Sequence, residues 1–454
     1  MDTITAVATA QGMAGIAIIR TSGKLAVGIC NNIFQPQKPL VRMVSRRLYY
    51  GMIISPATGK LLDIALVCLM RAPNSYTGED VFEIYAHGSP FITDGILEVI
   101  VSQGARIATA GEFTRRALLN GKIDALQAEA IGDLIRARSP LMADVSLQNV
   151  HGVLSQKIEK IRNSLEEKLA TVEATIDFSE EEISIDKKAF ADELQDLFVE
   201  VKRLSETYNE GKLLSGGISC LLIGRPNVGK SSLFNALLKK RRSIVSVDAG
   251  TTRDFIEESV LFKGLEFRFI DTAGIRKAKS DVEQQGIDVA WENLSRADIA
   301  ILILDGSEAL TKTDLEIAQR LQDKNFVVAI NKSDLPMLLT ATTMEEFSSS
   351  HPFIRISAKN GQGVSELLDT IYKLARASDY TAEISGEIIS KEQHKATLEQ
   401  VSFFILRAIQ NNGHYDEIIA HDLREALKNI TSLTNPSDNE DILQRIFENF
   451  CIGK

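Results

Sequence analysis

Eight consecutive residues, Gly224-Arg225-Pro226-Asn227-Val228-Gly229-Lys230-Ser231, have the types and spacing of a loop that cradles phosphates. Two glycines let the backbone curl so that successive N–H groups point at phosphate oxygens. Lys230 reaches β- and γ-phosphates, and the Ser231 hydroxyl can hold Mg2+. An apolar strand from Ile218 to Ile223 should enter this loop. A helix from Ser232 to Leu238 should leave it and add partial positive charge at its N-terminus. Downstream, a strand at Phe267 to Ile270 runs into Asp271-Thr272-Ala273-Gly274. There a carboxylate can bind Mg2+ through water and a glycine N–H can meet a γ-phosphate. An apolar strand follows at Ile299 to Leu304, and another at Phe326 to Ile330 leads into Asn331-Lys332-Ser333-Asp334. A carboxylate at Asp334 accepts from both N1–H and the exocyclic amine of guanine, and adenine lacks that amine. Ser357-Ala358-Lys359, after a short strand at Phe353 to Ile356, completes a base pocket.

In this order the motifs of residues 218 to about 375 resemble a Ras-like GTPase domain. Two departures matter. Ile275 follows Asp271-Thr272-Ala273-Gly274, where Ras-type enzymes carry a water-positioning glutamine, and an alkyl side chain cannot orient a nucleophile. Ser246-Val247-Asp248-Ala249 precedes Gly250-Thr251-Thr252-Arg253-Asp254, which together with Asn227 is similar to the pattern of potassium-dependent GTPases. That resemblance implies K+ near Asn227, Ser246, Asp248 and Thr251, where the cation would neutralise charge developing in the transition state. It also implies Mg2+ at Ser231 and Thr252, and nucleotide contacts from Val228, Gly229, Ser232, Val247, Ala249 and Gly250.

At 454 residues the chain should hold two to four domains. Its 44% hydrophobic and 25% charged residues describe an ordinary globular chain. No apolar run approaches the roughly 20 residues that span a bilayer, and the N-terminus lacks the basic and apolar regions of a secretory signal. Four scattered cysteines suggest neither a disulfide framework nor a zinc site, which fits a reducing cytoplasm. The net charge of −10 argues against a generally basic nucleic-acid surface.

The elements around this core divide the chain. Residues 1–118 read as α+β, with strands near 4–9, 15–20, 62–69 and 81–86. From about 119 to 212 the pattern turns helical. Leu147, Val150, Leu154, Ile158, Ile161, Leu165, Leu169, Val172 and Ile176 recur at three- and four-residue steps, which predicts one long amphipathic helix. Leu194, Leu197, Val201 and Leu204 predict a second. Beyond the nucleotide motifs, helices are expected through Leu398 to Ile405, Ile418 to Ile430 and Ile442 to Phe450. One-faced helices need partners, so the two helical stretches are expected to form one bundle interrupted by the nucleotide domain, with connections at 212–217 and near 377–380. The expected architecture is a multidomain chain: an α+β N-terminal domain (1–118), an all-α helical domain (119–215 plus 378–454) and an inserted Ras-like α/β P-loop GTPase domain (216–377).

The flanks carry a further resemblance. Pro73-Asn74-Ser75-Tyr76-Thr77-Gly78-Glu79-Asp80, Gly111-Glu112-Phe113-Thr114-Arg115-Arg116-Ala117, Asn120-Gly121-Lys122-Ile123-Asp124 and the terminal Cys451-Ile452-Gly453-Lys454 closely resemble the MnmE (TrmE) family of tRNA-modification GTPases. The resemblance runs over essentially the whole chain. It implies a homodimer with a tetrahydrofolate-binding, dimerising N-terminal domain. It also implies a flavoprotein partner, MnmG (GidA), which carries FAD and forms a heterotetramer or larger complex. Together they would modify C5 of tRNA wobble uridine 34 with an aminomethyl or carboxymethylaminomethyl group. The one-carbon unit would come from a 5-formyl or methylene tetrahydrofolate. Glu283 aligns with the family's water-positioning glutamate, which answers the gap left by Ile275. Arg20, Glu79, Lys122 and Lys454 match positions around the folate, and Cys451 is either a nucleophile or a structural thiol. His87 reads as a polar contact. A different reading, from the GTPase motifs alone, is a GTP-switched ribosome or RNA assembly factor. The folate-type domain and the Cys-Ile-Gly-Lys terminus argue against it.

Overall fold

The structure, a computed structural model, describes residues 2–39, 42–177, 186–240, 256–271, 294, 297–322, 324–339, 351–375, 386–412, 416–435, 446–447, 450 and 453. The chain forms two compact units. The first comprises Met1–Ile135, Leu147–Val199 and Gln400–Lys454, and the second Arg136–Ser146 and Glu200–Glu399.

The first unit begins with strands β1 (Ile4–Val7), β2 (Ala14–Ser22), β3 (Phe34–Pro36), β4 (Leu48–Ile54), β5 (Leu61–Met70), β6 (Val81–Gly88) and β7 (Arg106–Ile107). They form one sheet in the order β3-β4-β5-β6-β2-β1-β7. Alternation along the strands decides its faces. Ile19, Ile53, Val67 and Ile84 point to one side, where helices α1 (Ala26–Ile33) and α2 (Pro90–Ser102) bury them with Ile29, Ile33, Ile96 and Ile100. The other side is apolar and open. Ile16, Leu48, Tyr50, Met52, Ile64 and Leu66 are each 39% to 61% exposed. A shallow cleft of about 450 Å³ lies on it, lined by Ile16, Tyr50, Ile64, Leu66, Tyr85 and His87. Helix α3 (Glu112–Leu119) follows β7.

Helices α4 (Ala125–Arg136), α5 (Pro140–Val150), α6 (Val153–Asp177), α7 (Lys187–Glu206) and α8 (Tyr208–Gly216) come next. The single long helix expected through Leu147 to Ile176 is two helices. Gly152 takes φ +89, a left-handed conformation that a helix cannot continue through, and Leu147 on α5 is exposed. The periodicity survived the break because two helices can share one apolar phase across it. The connection expected at 212–217 is also mostly helix. Only Gly217, at φ +68, leaves it before the next strand.

In the second unit, strands β8 (Ile218–Ile223), β9 (Ile256–Phe262), β10 (Leu265–Asp271), β11 (Ile299–Asp305), β12 (Phe326–Asn331) and β13 (Phe353–Arg355) form a sheet ordered β13-β12-β11-β8-β10-β9. Every neighbouring pair is parallel except β9 with β10. β8, β11 and β12 are buried along their whole length, as continuous apolar runs in a parallel sheet require. Helices α9 (Lys230–Lys240), α10 (Lys312–Leu321) and α11 (Val364–Ala375) complete this α/β layer arrangement. The unit extends beyond the expected 216–377 because Leu141, Val145, Leu214 and Ile388 pack into the same apolar cluster as β8 and β10.

Two further helices, α12 (Glu392–Asn411) and α13 (Asp416–Thr434), follow. Within the first unit α6 packs along α13, so residues before and after the nucleotide motifs meet there. Leu154, Ile158, Ile161 and Leu165 bury one face, and Ile419, Leu423, Ala426 and Ile430 the other. Ile418, expected on that apolar face, is 37% exposed, and Asp422 is fully buried there. Arg407 lies 2.9 Å from the Asp422 carboxylate, whose proton affinity burial raises. Of the last expected helix, Ile446, Phe447 and Phe450 pack against Ala125 and Ala128, and Ile442 and Leu443 lie outside the described residues. No helix among the described residues is long and apolar enough to cross a membrane.

Candidate functional site

The phosphate-type loop sits at the carboxyl end of central strand β8, the position where open parallel sheets bind ligands. Its shape is a backbone property. A side chain at Gly224 would lie 2.5 Å from the Ile303 carbonyl oxygen. Gly229 takes φ +99, and a Cβ there would lie 2.2 Å from the Asn331 Nδ2. Asn227 is also left-handed, at φ +67, and exposed, so its amide stands on the open side of the loop. Val228 is fully buried and pins the loop to the core beside Leu233. Lys230 opens α9 and donates from Nζ to the carbonyl oxygens of Gly224 (2.7 Å) and Arg225 (2.8 Å), which centres its ammonium within the loop. Ser231 and Ser232, on the first turn, are exposed.

Asn331, the last residue of β12, ties the cradle to the base-reading loops. It is 2% exposed. Its Nδ2 donates to the Val228 carbonyl (2.8 Å) and its Oδ1 accepts from the Ala358 N–H (2.9 Å). One side chain thereby joins the loops at 224–231, 331–334 and 357–359. Lys332, at φ +63, pairs with Asp305 at the end of β11. Burial would raise the Asp305 pKa, but Lys332 and Ser307 outweigh it and hold the carboxyl below its usual range. The Ser333 N–H donates to the Ile356 carbonyl (3.0 Å). Asp334 is exposed and accepts from Ser357 Oγ at 2.7 Å, a bond that lowers its pKa. Ser357 bonds Oδ1, and the carboxylate is otherwise exposed to solvent, where a base edge can approach. Lys359 is exposed beside this pocket.

Asp305 and Arg225 were not singled out from the sequence. Arg225 donates to Glu308 at 2.6 Å and lies 3.5 Å from Asp314, tying the phosphate loop to the start of α10. Neither residue has a distinctive spacing, and only the fold brings them together. Ser246, Val247, Asp248, Ala249, Gly250, Thr251, Thr252, Thr272, Ala273, Gly274 and Glu283, the side chain of Asp271, and Cys451 and Lys454 lie outside the described residues.

The first unit holds a second polar cluster. Arg20, on β2, donates through Nε to Glu83 at 2.7 Å, with its guanidinium 5.3 Å from the Tyr76 ring and 5.7 Å from that of Phe113. Its NH1 lies 3.5 Å from the Gly453 carbonyl oxygen, which brings the end of the chain to the cluster. Glu79 accepts from Ser22 Oγ (2.7 Å) and from Arg116 NH1 (3.0 Å). Lys122 is exposed and donates to the Pro73 carbonyl at 3.1 Å, holding the loop that carries Glu79. Arg116, a member of the 111–117 motif that nothing local in the sequence marks as functional, is buried at the centre. Glu112 accepts from Arg106 and Arg116; burial alone would raise its pKa, but these bonds and the Thr109 N–H bring it to about 2. His87 lies on the same face of β6 as Glu83 and Tyr85, where Nδ1 pairs with Asp63 at 2.7 Å.

Two families of known proteins match this chain. A family described as "GTP-binding protein TrmE N-terminus" matches residues 3–122, and one described as "MnmE helical domain" matches residues 126–451. The tRNA modification GTPase MnmE of Syntrophus aciditrophicus is 40% identical over 457 residues, covering 100% of this chain and 99% of the relative. That of Alkaliphilus oremlandii is 40% identical over 462 residues with the same coverage. Among solved structures, the G domain of the T. maritima FeoB iron transporter is 22% identical with a TM-score of 0.27, covering 35% of this chain and 99% of that one. Matched end to end by its relatives, and carrying a nucleotide cradle of the GTPase type, the chain belongs to the MnmE family of tRNA modification GTPases.

Proposed function

We propose that this chain hydrolyses GTP in a K+-dependent way and uses the cycle to modify C5 of wobble uridine 34 in tRNA. The observation that carries this reading is full-length similarity to tRNA modification GTPases on a chain whose Asn331 joins the phosphate cradle to an Asp334 base reader. The left-handed loop backbone suits phosphate oxygens, and the exposed carboxylate of Asp334 suits the N–H edge of guanine. Lys230 would swing from its carbonyl partners to the phosphates, and Ser231 with Thr252 would hold Mg2+. K+ would lie near Asn227, Ser246, Asp248 and Thr251 and supply positive charge to the transition state. Glu283 would orient the attacking water.

In this reading the chain works as three domains, 1–118, 119–215 with 378–454, and 216–377. The first binds a tetrahydrofolate derivative near Arg20, Glu79, Lys122 and Lys454. Glu79 retains an acceptor for the N–H edge of a pterin, and the rings of Tyr76 and Phe113 offer apolar surface beside it. The partner is a flavoprotein of the MnmG (GidA) type that brings FAD, and the setting is cytoplasmic. A homodimer is supported by the open apolar sheet face, since a patch of that kind marks an interaction surface.

The reading is tested by steady-state GTP hydrolysis with the purified chain. Turnover in K+ should exceed that in Na+ by about 100-fold or more, comparable to what removing one oxyanion-type donor costs. Glu283→Ala should keep GTP binding and lose turnover. Equal rates in the two salts would remove the cation from the mechanism, and unchanged turnover in Glu283→Ala would remove that glutamate.

A further inference from the structure

The Glu79 carboxylate is held asymmetrically. Oε2 accepts from Ser22 Oγ at 2.7 Å and from Arg116 NH1 at 3.0 Å, whereas Oε1 has one long contact to the same guanidinium, at 3.3 Å. Oε1 is therefore the atom with acceptor capacity to spare. Arg116 is itself fixed from behind. Its NH1 also donates to the Asp2 carbonyl (2.7 Å), and its NH2 donates to Asp2 Oδ1 (2.7 Å) and Glu112 Oε1 (3.0 Å). Arg106 neutralises those two carboxylates from the far side, through 2.6 Å bonds to each.

The charges then sort themselves. Among the described residues two guanidiniums face three carboxylates, and Asp2 and Glu112 share both cations while Glu79 meets only the inner one. The uncompensated negative charge of the cluster falls on Glu79. Its side chain is 16% exposed, against 4% for Arg116. A buried guanidinium with donors committed in a fixed fork is a rigid anchor, and a lysine in its place has no such planar geometry.

We propose that Arg116, helped by Ser22, is the positioning residue that aims Oε1 of Glu79 at N–H donors of the bound pterin. The inference rests on the folate assignment of Glu79 made above. Arg116 touches no ligand in this account and acts only through Glu79. Energetic coupling to Glu79 in ligand binding is what distinguishes it from a residue that merely keeps α3 in place.

The experiment is a double-mutant cycle on the full-length protein, reading the dissociation constant of 5-formyltetrahydrofolate by titration calorimetry. Glu79→Gln should weaken binding roughly tenfold to a hundredfold, the worth of a hydrogen bond to a charged acceptor. Arg116→Gln should weaken it by a similar factor. Glu79→Gln/Arg116→Gln should be no weaker than the worse single variant, because the second change removes support from a group already lost. Arg116→Lys should fall between wild type and Arg116→Gln. Ser22→Ala, which disturbs no helix, should cost a few-fold, and nothing in the Glu79→Gln background; it decides the matter if the Arg116 variants do not fold. Losses that multiply in the double variants would overturn the proposal, as would wild-type affinity in both Ser22→Ala and Arg116→Lys. Wild-type affinity in Glu79→Gln would instead overturn the folate assignment, and this proposal with it.

Discussion

The nucleotide cradle and the N-terminal polar cluster solve the same problem, holding a ligand-facing group still, by opposite means. In the cradle the backbone sets the positions. Gly224, Asn227 and Gly229 take conformations or spaces that ordinary side chains cannot, and one amide, Asn331, spans the loops. In the N-terminal cluster the residues come from a strand, a helix and two irregular segments, and the positions come from guanidinium–carboxylate contacts among Asp2, Glu79, Arg106, Glu112 and Arg116. A cradle of the first kind fails when a Cβ is added. A cluster of the second kind fails when a charge is removed.

The largest effect should come from Gly229→Ala. The new Cβ meets Asn331 Nδ2 at 2.2 Å on a residue held at φ +99, so the clamp must open. GTP affinity should fall by about 100-fold or more, the equivalent of roughly 3 kcal/mol of strain. Near-wild-type affinity in a nucleotide titration would break the claim that backbone shape builds this site.

Asp334→Asn should come next, with GTP affinity reduced about tenfold to a hundredfold. The amide replaces one acceptor with a donor, which suits a base carrying a carbonyl where guanine has its amine. Xanthosine triphosphate should therefore gain on GTP in a competition titration. A uniform loss for both nucleotides would mean that Asp334 shapes the loop without reading the base.

The N-terminal cluster should show itself in the acid limb of stability. Glu112 has a folded pKa of about 2 against an ordinary 4.5. A depressed carboxyl contributes its full stabilisation above the higher value, and that contribution is lost as pH falls from about 4.5 toward about 2. After allowance for solvent screening, it is on the order of 2 kcal/mol. Glu112→Gln should be less stable by about this amount at neutral pH in denaturant titrations, and should lose less on acidification. Parallel curves for variant and wild type across that window would place the stabilisation elsewhere.

The contrast also explains what could be read from the chain alone. The cradle is contiguous, so Gly224 to Ser231 and Asn331 to Asp334 announced themselves, and β8, β11 and β12 followed from unbroken apolar runs. Asn331 was legible as a motif member but not as a clamp, because its partners lie 103 and 27 residues away. Arg116 is 114 residues from Asp2 and 37 from Glu79, and its neighbour Arg115 is equally basic, so nothing local marks which arginine turns inward. Gly152 was passed over for a different reason. A single glycine is tolerated in many helices, and only its φ reveals that the helix ends there.

The most direct test of the account is mass analysis of nucleosides at the wobble position of tRNA from cells lacking this protein. The account predicts uridine 34 without its C5 aminomethyl-type group, restored when the wild-type chain is returned. Fully modified uridine 34 in the deleted cells would contradict it.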